Sequence, residues 1–210
     1  MKRTAVLLTL AIAIVWMDAL AMATEAKTRL NVAFVLLSEA AMPKAEDVVR
    51  AYASFAGKDD DPRVSKSKTA KTEKTPILQL DFSPSAFAMI MLVPMPVPKQ
   101  EVEEAVRFSV SSLASGWKLP PHKAQLIVTA SEPIGTPAID ALSRFTSVVA
   151  AVTEASHAVA VYWGAGSATH DPKFLISTAH ERGTMPRITL WVGVSQAREA
   201  DGRVSLLSLA

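Results

Sequence analysis

The stretch "RLNVAFVLLSEA", residues 29–40, decides the fold of this chain. It is rich in β-branched and aliphatic residues, and both of its alternating faces are apolar. This pattern is typical of a strand that is covered on two sides. We therefore expect it to lie in the middle of a sheet.

Helix, loop and strand patterns follow in turn. Apolar residues recur at helical spacing over residues 45–56, behind Pro43 and before Gly57, and predict an amphipathic helix. The polar stretch 58–75 has mixed charge and no apolar periodicity, so we interpret it as a loop. The segments "PILQLDF", from residue 76, and "FAMIMLVPMPVP", from residue 87, then predict the two strands of a hairpin.

The next elements complete a recognisable order. A single helix is expected from Pro98 to Gly116, and "KAQLIVTAS", residues 123–131, supplies another strand. The order strand, helix, strand, strand, helix, strand predicts a ferredoxin-like βαββαβ unit within a mixed α/β fold. The longest helix follows and ends near His157, with Thr136 as its predicted N-cap and Pro137 in its first turn.

A second α/β segment and a C-terminal hairpin extend this unit. Strands are expected at residues 158–163 and 187–195, on either side of a short helix that begins at Pro172. The last stretch predicts a hairpin that turns at Asp201 and Gly202. We assign residues 27–210 to a single α/β domain.

Composition narrows the classes of function. Half of the 210 residues are apolar, which is enough for a sizeable core. The formal net charge of +2 gives no basic footprint for nucleic acid, so we expect no nucleic-acid partner. The absence of cysteine excludes disulfides and thiolate ligands, and we expect no cofactor.

The amino-terminal stretch, residues 1–26, has the layout of a secretory signal peptide. Two basic residues precede an apolar run from Ala5 to Met17, and small residues end at Ala23, the expected cleavage site. The run is shorter than the ~20 residues of a membrane-spanning helix, so we expect no stable span. Cleavage would place the protein outside the cytoplasm, whereas a start at Met22 would leave it in the cytoplasm.

The chain resembles a bacterial family, the domain of unknown function 4261. The likeness is carried by four stretches: "VAFVLLSEA" from residue 32, "HKAQLIVT" from residue 122, "SVVAAVTEASHAVAVYWGAGSATHDPKF" from residue 147 and "LWVGVSQAREADGRVSLLSLA" from residue 190. Its most specific part is the segment with Tyr162, Trp163 and Gly164, and the chain carries Gln125 where the family often has a histidine. The resemblance implies a shared fold and no particular reaction.

The stretch "AVYWGAGSATHDP", residues 160–172, holds the candidate site. A dinucleotide fingerprint would need a third glycine where the chain has Thr169. We interpret Gly164 and Gly166 as residues of a sharp turn after Trp163. Asp171 would then cap a helix whose first turn contains Pro172.

Of the residues in this stretch, His170 is the one best able to act as an acid, a base or a metal ligand, and Asp171 is its neighbour. These two are the candidate catalytic residues, although a capping or exposed histidine is the simpler interpretation. The candidate binding residues are Trp163, Gly164, Gly166 and His170. Ser167 beside His170 completes no nucleophile motif that the sequence can identify.

Two further features are ambiguous. Glu154 and His157 lie three residues apart near a helix end and could offer two metal ligands, although an ordinary helix terminus explains them better. Met89, Met91 and Met95 could form an adaptable binding surface, although methionine more often fills gaps in a core.

These observations favour a non-enzymatic binding domain with a protein partner. The alternative is a small hydrolase or metal-dependent enzyme that uses His170, Asp171, Glu154 and His157. A homo-oligomer that pairs through an exposed apolar face is the third possibility.

Overall fold

The computed structural model describes residues 28–56, 63–65, 76–83, 85–181, 184–198 and 204–209. The predicted mixed α/β fold is confirmed. The elements in chain order are β1 (Thr28–Leu37), α1 (Ala45–Phe55), β2 (Arg63–Ser65), β3 (Ile77–Ser83), β4 (Ala86–Val93), α2 (Lys99–Val106), α3 (Val110–Ser115), β5 (Ala124–Pro133), α4 (Ala138–Ala155), β6 (Ala160–Trp163), β7 (Ala168–His170), α5 (Pro172–His180), α6 (Thr184–Trp191), β8 (Gly193–Arg198) and β9 (Val204–Leu209).

Seven of the described strands form one antiparallel sheet in the order β2-β3-β4-β5-β1-β6-β7. β1 pairs with β5 along its whole length and with β6 on its other side, so its predicted place inside the sheet is confirmed. Along the chain, the predicted βαββαβ order is present with two additions, the strand β2 and the division of the second helix into α2 and α3. The predicted ferredoxin-like arrangement in space is wrong, because β5 lies between β1 and β4, whereas that arrangement pairs its first and third strands directly in parallel.

The sheet has a fully covered face and a partly covered face. On the first face, alternate β1 residues such as Ala33 and Val35 are completely buried under α1, α4, α5 and Leu190 of α6. On the second face, α2 packs at the end of the sheet formed by β1, β6 and β7, where Leu36 and Ala160 pack with Val102. The sheet therefore has a helical layer on one side and half a layer on the other.

The expected helix over residues 98–116 is wrong in one respect, because it is two helices, α2 and α3. The break falls at residues 107–109, where the carbonyl of Phe108 accepts a hydrogen bond from the Val194 amide at 2.8 Å. The second helix ends at Gly116, which has the left-handed backbone typical of a helix C-terminus (φ 66°). At the break the Phe108 carbonyl therefore bonds to β8 and not to an amide of its own helix, while the amides of Phe108 and Ser109 keep local turn bonds.

The expected strand over residues 187–195 is wrong in its first half, which is the end of helix α6. Leu190 is fully buried in the main core, and the Trp191 indole donates to the Thr146 hydroxyl at 2.8 Å. A short apolar run is compatible with both the helical and the strand period, and here tertiary packing selects the helix. The hairpin itself is confirmed as β8 and β9, and its predicted turn at residues 201–202 lies outside the described residues.

Two smaller expectations also change. Thr136 does not cap α4, because the helix begins at Ala138 with Pro137 in the cap position, while the Thr136 amide donates to Pro133 in a turn. Residues 63–65, predicted as loop, form a short strand against β3. The rest of the predicted 58–75 loop and the 1–26 leader lie outside the described residues.

Candidate functional site

The candidate stretch forms the β6–β7 hairpin at one edge of the sheet. Trp163 pairs with Ala168 across this hairpin, and four residues form the turn between them. The Trp163 side chain is 1% exposed and meets the Phe145 ring edge-on, with centroids 5.1 Å apart. Trp163 is therefore a core residue, and its ring is inaccessible to a ligand.

Gly166 marks a close approach between two backbones. A Cβ atom on Gly166 would lie 2.6 Å from the Trp191 carbonyl oxygen, and one on Gly193 would lie 2.3 Å from the Gly166 oxygen. Neither position has room for a side chain. Gly164 differs, because its nearest neighbours would lie at ordinary contact distances of 3.6 Å and beyond.

The predicted sharp turn after Trp163 is confirmed at residues 164–167, but its backbone conformation does not depend on either glycine. Neither Gly164 nor Gly166 has a positive φ, and the left-handed residue of the turn is Ser167 (φ 47°). The Ser167 amide donates to the Gly164 carbonyl at 3.3 Å and closes the turn. Gly166 is thus required by its close packing against α6 and β8. The left-handed backbone conformation of the turn is adopted by Ser167 and not by a glycine.

His170 lies at the end of β7 and is completely buried, so its interpretation as an exposed or capping residue is wrong. Its Nε2 atom lies 3.1 Å from the Leu190 carbonyl oxygen, and its Nδ1 atom lies 2.9 Å from the Ser109 hydroxyl. Since a carbonyl can only accept, Nε2 carries the proton and Nδ1 accepts from Ser109. Both ring nitrogens are therefore occupied by bonds within the protein.

The hydrogen bonds continue from Ser109 to the start of the next helix. Ser109 and Ser111 join their hydroxyls at 2.7 Å, and Ser111 accepts from the Asp171 amide at 3.1 Å. Because Nδ1 of His170 is the final acceptor, the Ser109 hydroxyl donates to Nδ1 and the Ser111 hydroxyl donates to Ser109. We call these four residues, Ser109, Ser111, His170 and Asp171, the serine–histidine network. It ties β7 and α5 to the break between α2 and α3.

Burial determines the protonation state of His170. Loss of solvation lowers the pKa of His170 from its usual 6.5 to about 4, and the Leu190 carbonyl offsets part of that effect. A histidine with this pKa is neutral at physiological pH. It can neither bind a proton readily nor reach a solvent-borne substrate.

Asp171 has a local role at the start of α5. Its carboxylate accepts from the Lys173 amide at 3.1 Å, and Pro172 occupies the first turn. The predicted N-cap is confirmed.

Glu154 and His157 lie on the exposed end of α4. The His157 amide donates to the Glu154 carbonyl, and the Ala158 amide donates to the Thr153 carbonyl, which is the bond pattern of a Schellman motif. His157 occupies the left-handed position of this motif with φ 50°, where glycine is usual. The two side chains therefore lie exposed at a helix end, whereas His170 is buried.

Replacement of His157 by glycine should stabilise the protein. Glycine adopts the left-handed backbone without the cost borne by a side chain, so we expect His157→Gly to raise the free energy of unfolding by up to about 1 kcal/mol. Chemical denaturation measures this difference. Glu154→Gly, which places glycine inside the same helix, should instead lower the free energy by about 1 kcal/mol. A loss of stability in His157→Gly would contradict the proposed strain.

A second feature is an apolar surface on β1, β3, β4 and β5 that no described helix covers. Its members alternate with buried core residues, are half-buried, and belong to neither hydrophobic cluster. We call this surface the open sheet face. It consists of Leu30, Val32, Ile77, Phe87, Met89, Met91 and Ile127.

Strand register makes one row of the open sheet face continuous. Met91 lies opposite Ile77 on one side and Ile127 on the other, and Ile127 lies opposite Phe34. In the next row, Met89 lies between Gln79 and Thr129. Phe34 stacks on Tyr162 with centroids 5.7 Å apart, where the second hydrophobic cluster begins. The apolar surface thus runs from β3 to the margin of the half layer formed by α2.

The sequence contains no signal for the two serines of the serine–histidine network but does contain one for the open sheet face. Ser109 and Ser111 were missed, because they precede His170 by about 60 residues and no local pattern links them. The methionines did give a signal: Met89 and Met91 lie on the open sheet face, and Met95 is exposed. Their alternation with buried Ala88 and Ile90 could not show which face was covered.

Comparison with protein-family models, curated proteins and solved structures gives no match. Within the described ranges, no three histidine, aspartate or glutamate side chains are grouped to hold a metal ion. A search of the same residues finds no helix with the length and apolar character to cross a membrane.

Proposed function

We propose that this chain is a protein-interaction domain that binds its partner through the open sheet face. The main support for this proposal is the difference between the two faces of the sheet. Val35 and Ile90 are fully buried on one face, whereas their neighbours on the other face are only half-buried and no described helix covers them. A contiguous apolar patch of a few hundred Å² is often an interaction site. Methionine adds the flexibility that a binding surface uses to fit its partner.

The serine–histidine network supports the same proposal. Its histidine is fully buried and already bonded at both nitrogens, so it is better suited to hold elements together than to act on a substrate. The alternative of a hydrolase or metal enzyme has less support, because Glu154 and His157 lie on an exposed helix end while His170 lies inside. Membership in the domain of unknown function 4261 family remains our proposal for the origin of the fold.

Position-specific photocrosslinking in the native cell tests the proposal. A photoreactive phenylalanine analogue at Met89 should give a crosslink to one defined protein, whose site of attachment is identified by mass spectrometry. The same analogue at Ile134, which is exposed on the loop after β5, is the matched control and should give none. Equal crosslinks from both positions, or none from Met89, would refute the proposed binding surface. Crosslinks between two copies of the chain would establish the homo-oligomer instead.

A further inference from the structure

We propose that the occupant of the open sheet face is a single amphipathic helix of the partner, with basic residues along the side that faces α2. This inference rests on the proposed function and names the chemistry of the partner. It follows from the size of the surface, from the incomplete helical layer beside it, and from the charge of α2.

The area of the open sheet face fits a helix better than a second copy of the chain. The rectangle that contains it crosses four strands and five residues of β4, which gives about 320 Å² at strand spacings of ~4.8 Å and a rise of ~3.3 Å per residue. Polar residues such as Gln79 and Thr129 occupy part of that area. A stable interface between two folded proteins needs about 800 Å² on each. A helix about 10 Å wide and about 13 residues long would cover the central part of the surface.

The neighbouring architecture provides the place for such a helix. α2 packs on the same side of the sheet, where Val102 joins Leu36 and Ala160 in the second hydrophobic cluster. A helix laid on Met89 and Met91 would lie beside α2 and extend that half layer across β4 and β5. Two packed helical layers around a sheet are a standard way to bury both of its apolar faces.

The charge of α2 specifies the side chains that would flank the docked helix. The helix KQEVEEAV carries three glutamates and one lysine, and Lys99 pairs with Glu103 at 3.4 Å. Glu101 lies near Tyr162 at the margin of the open sheet face, where burial and this carboxylate raise the pKa of the tyrosine. Lysine or arginine on the adjacent side of a partner helix would complement this negative charge.

Three synthetic peptides of about 14 residues test the inference with the full chain. The first is a leucine–lysine peptide with helical spacing, the second replaces each lysine with glutamate, and the third has the same composition as the first but alternates leucine and lysine as a strand would. Fluorescence anisotropy measures binding. We expect the helical lysine peptide to bind at least about tenfold more tightly than either of the others.

Variants locate the binding on the protein. Met89→Glu should weaken binding of the helical lysine peptide about tenfold, while Ile134→Glu, a matched change at an exposed apolar residue elsewhere, should leave it unchanged. Glu101→Lys should weaken binding at low salt, and Glu46→Lys on α1, across the sheet, should not. Because Glu101 is exposed on a helix, this variant keeps the test valid if Met89→Glu unfolds the protein.

The outcomes separate the inference from the proposed function. If Met89 crosslinks to a protein partner in the cell but the glutamate or strand peptide binds as well as the helical lysine peptide, the inference is wrong and the proposed function stands. If no peptide binds and Met89 gives no crosslink, both are wrong. Binding that Ile134→Glu weakens as strongly as Met89→Glu would also overturn the inference.

Discussion

Gly166→Ala should lower the free energy of unfolding by about 3 kcal/mol, because a methyl group at this position collides with backbone on a different element. The new Cβ would lie 2.6 Å from the Trp191 oxygen and 3.1 Å from its carbonyl carbon. Neither atom belongs to a flexible side chain that could move aside. Separation of the β6–β7 hairpin from the end of α6 is the only relief, and urea denaturation measures its cost.

Gly164→Ala is the control for this prediction. It adds the same methyl group in the same turn, yet the nearest atoms would be 3.6 Å and 3.8 Å away. We expect its free energy of unfolding to stay within about 0.5 kcal/mol of the parent protein. Equal losses in the two variants would show that the turn needs glycine for its conformation, as the sequence first suggested, and that the contact with Trp191 is unimportant.

Acidification should destabilise the protein through His170. The unfolded chain binds a proton at this residue below pH 6.5, whereas the native state does so only near its lowered pKa of about 4. The contribution of His170 is therefore fully present above pH 6.5 and is lost as the pH falls toward 4. From these two pKa values we expect a loss of about 2 kcal/mol between pH 7 and pH 5, and about 3 kcal/mol by pH 4.

Two variants isolate this effect from the titration of carboxylates. His170→Gln removes the titrating group, so its stability should fall about 2 kcal/mol less than that of the parent between pH 7 and pH 5. Ser109→Ala removes the hydroxyl that donates to Nδ1 but keeps the histidine buried. It should cost about 1 to 2 kcal/mol at every pH and retain the pH dependence. A parent protein and His170→Gln variant with parallel pH profiles would contradict the lowered pKa.

The sequence was most informative where local pattern and packing agree. β1 is apolar on both alternating faces and lies inside the sheet, as its pattern predicts. The cap formed by Asp171 and Pro172 is also confirmed, because an N-cap is a local interaction between residues two positions apart. Such features need no knowledge of the rest of the fold.

Predictions failed where distant contacts decide. Residues 187–191 alternate like a strand but form a helix, since Leu190 is buried in the core and Trp191 bonds to Thr146. The break before α3 has the same origin, because Phe108 pairs with Val194 and Ser109 pairs with His170. No pattern near residue 108 contains that information.

The candidate site shows the same division. Gly166 and His170 do have a common role, which is to dock the hairpin against α6 and the α2–α3 break. Met89 and Met91 show the reverse case, since a face of β4 that local pattern would assign to the core is left uncovered by described helices. Only the arrangement of the helices around the sheet distinguishes the covered face of β4 from the face that described helices leave uncovered.

We propose that the polar residues of the β6–β7 hairpin serve the fold and that the open sheet face serves function. Long-range ¹⁵N NMR spectra of the imidazole rings measure the state of His170, with its signals assigned by their absence in His170→Gln. We expect a neutral His170 ring with its proton on Nε2, unchanged from pH 8 down to about pH 5. A ring that gains a proton near pH 6.5, or that carries its proton on Nδ1, would refute the structural role of this hairpin.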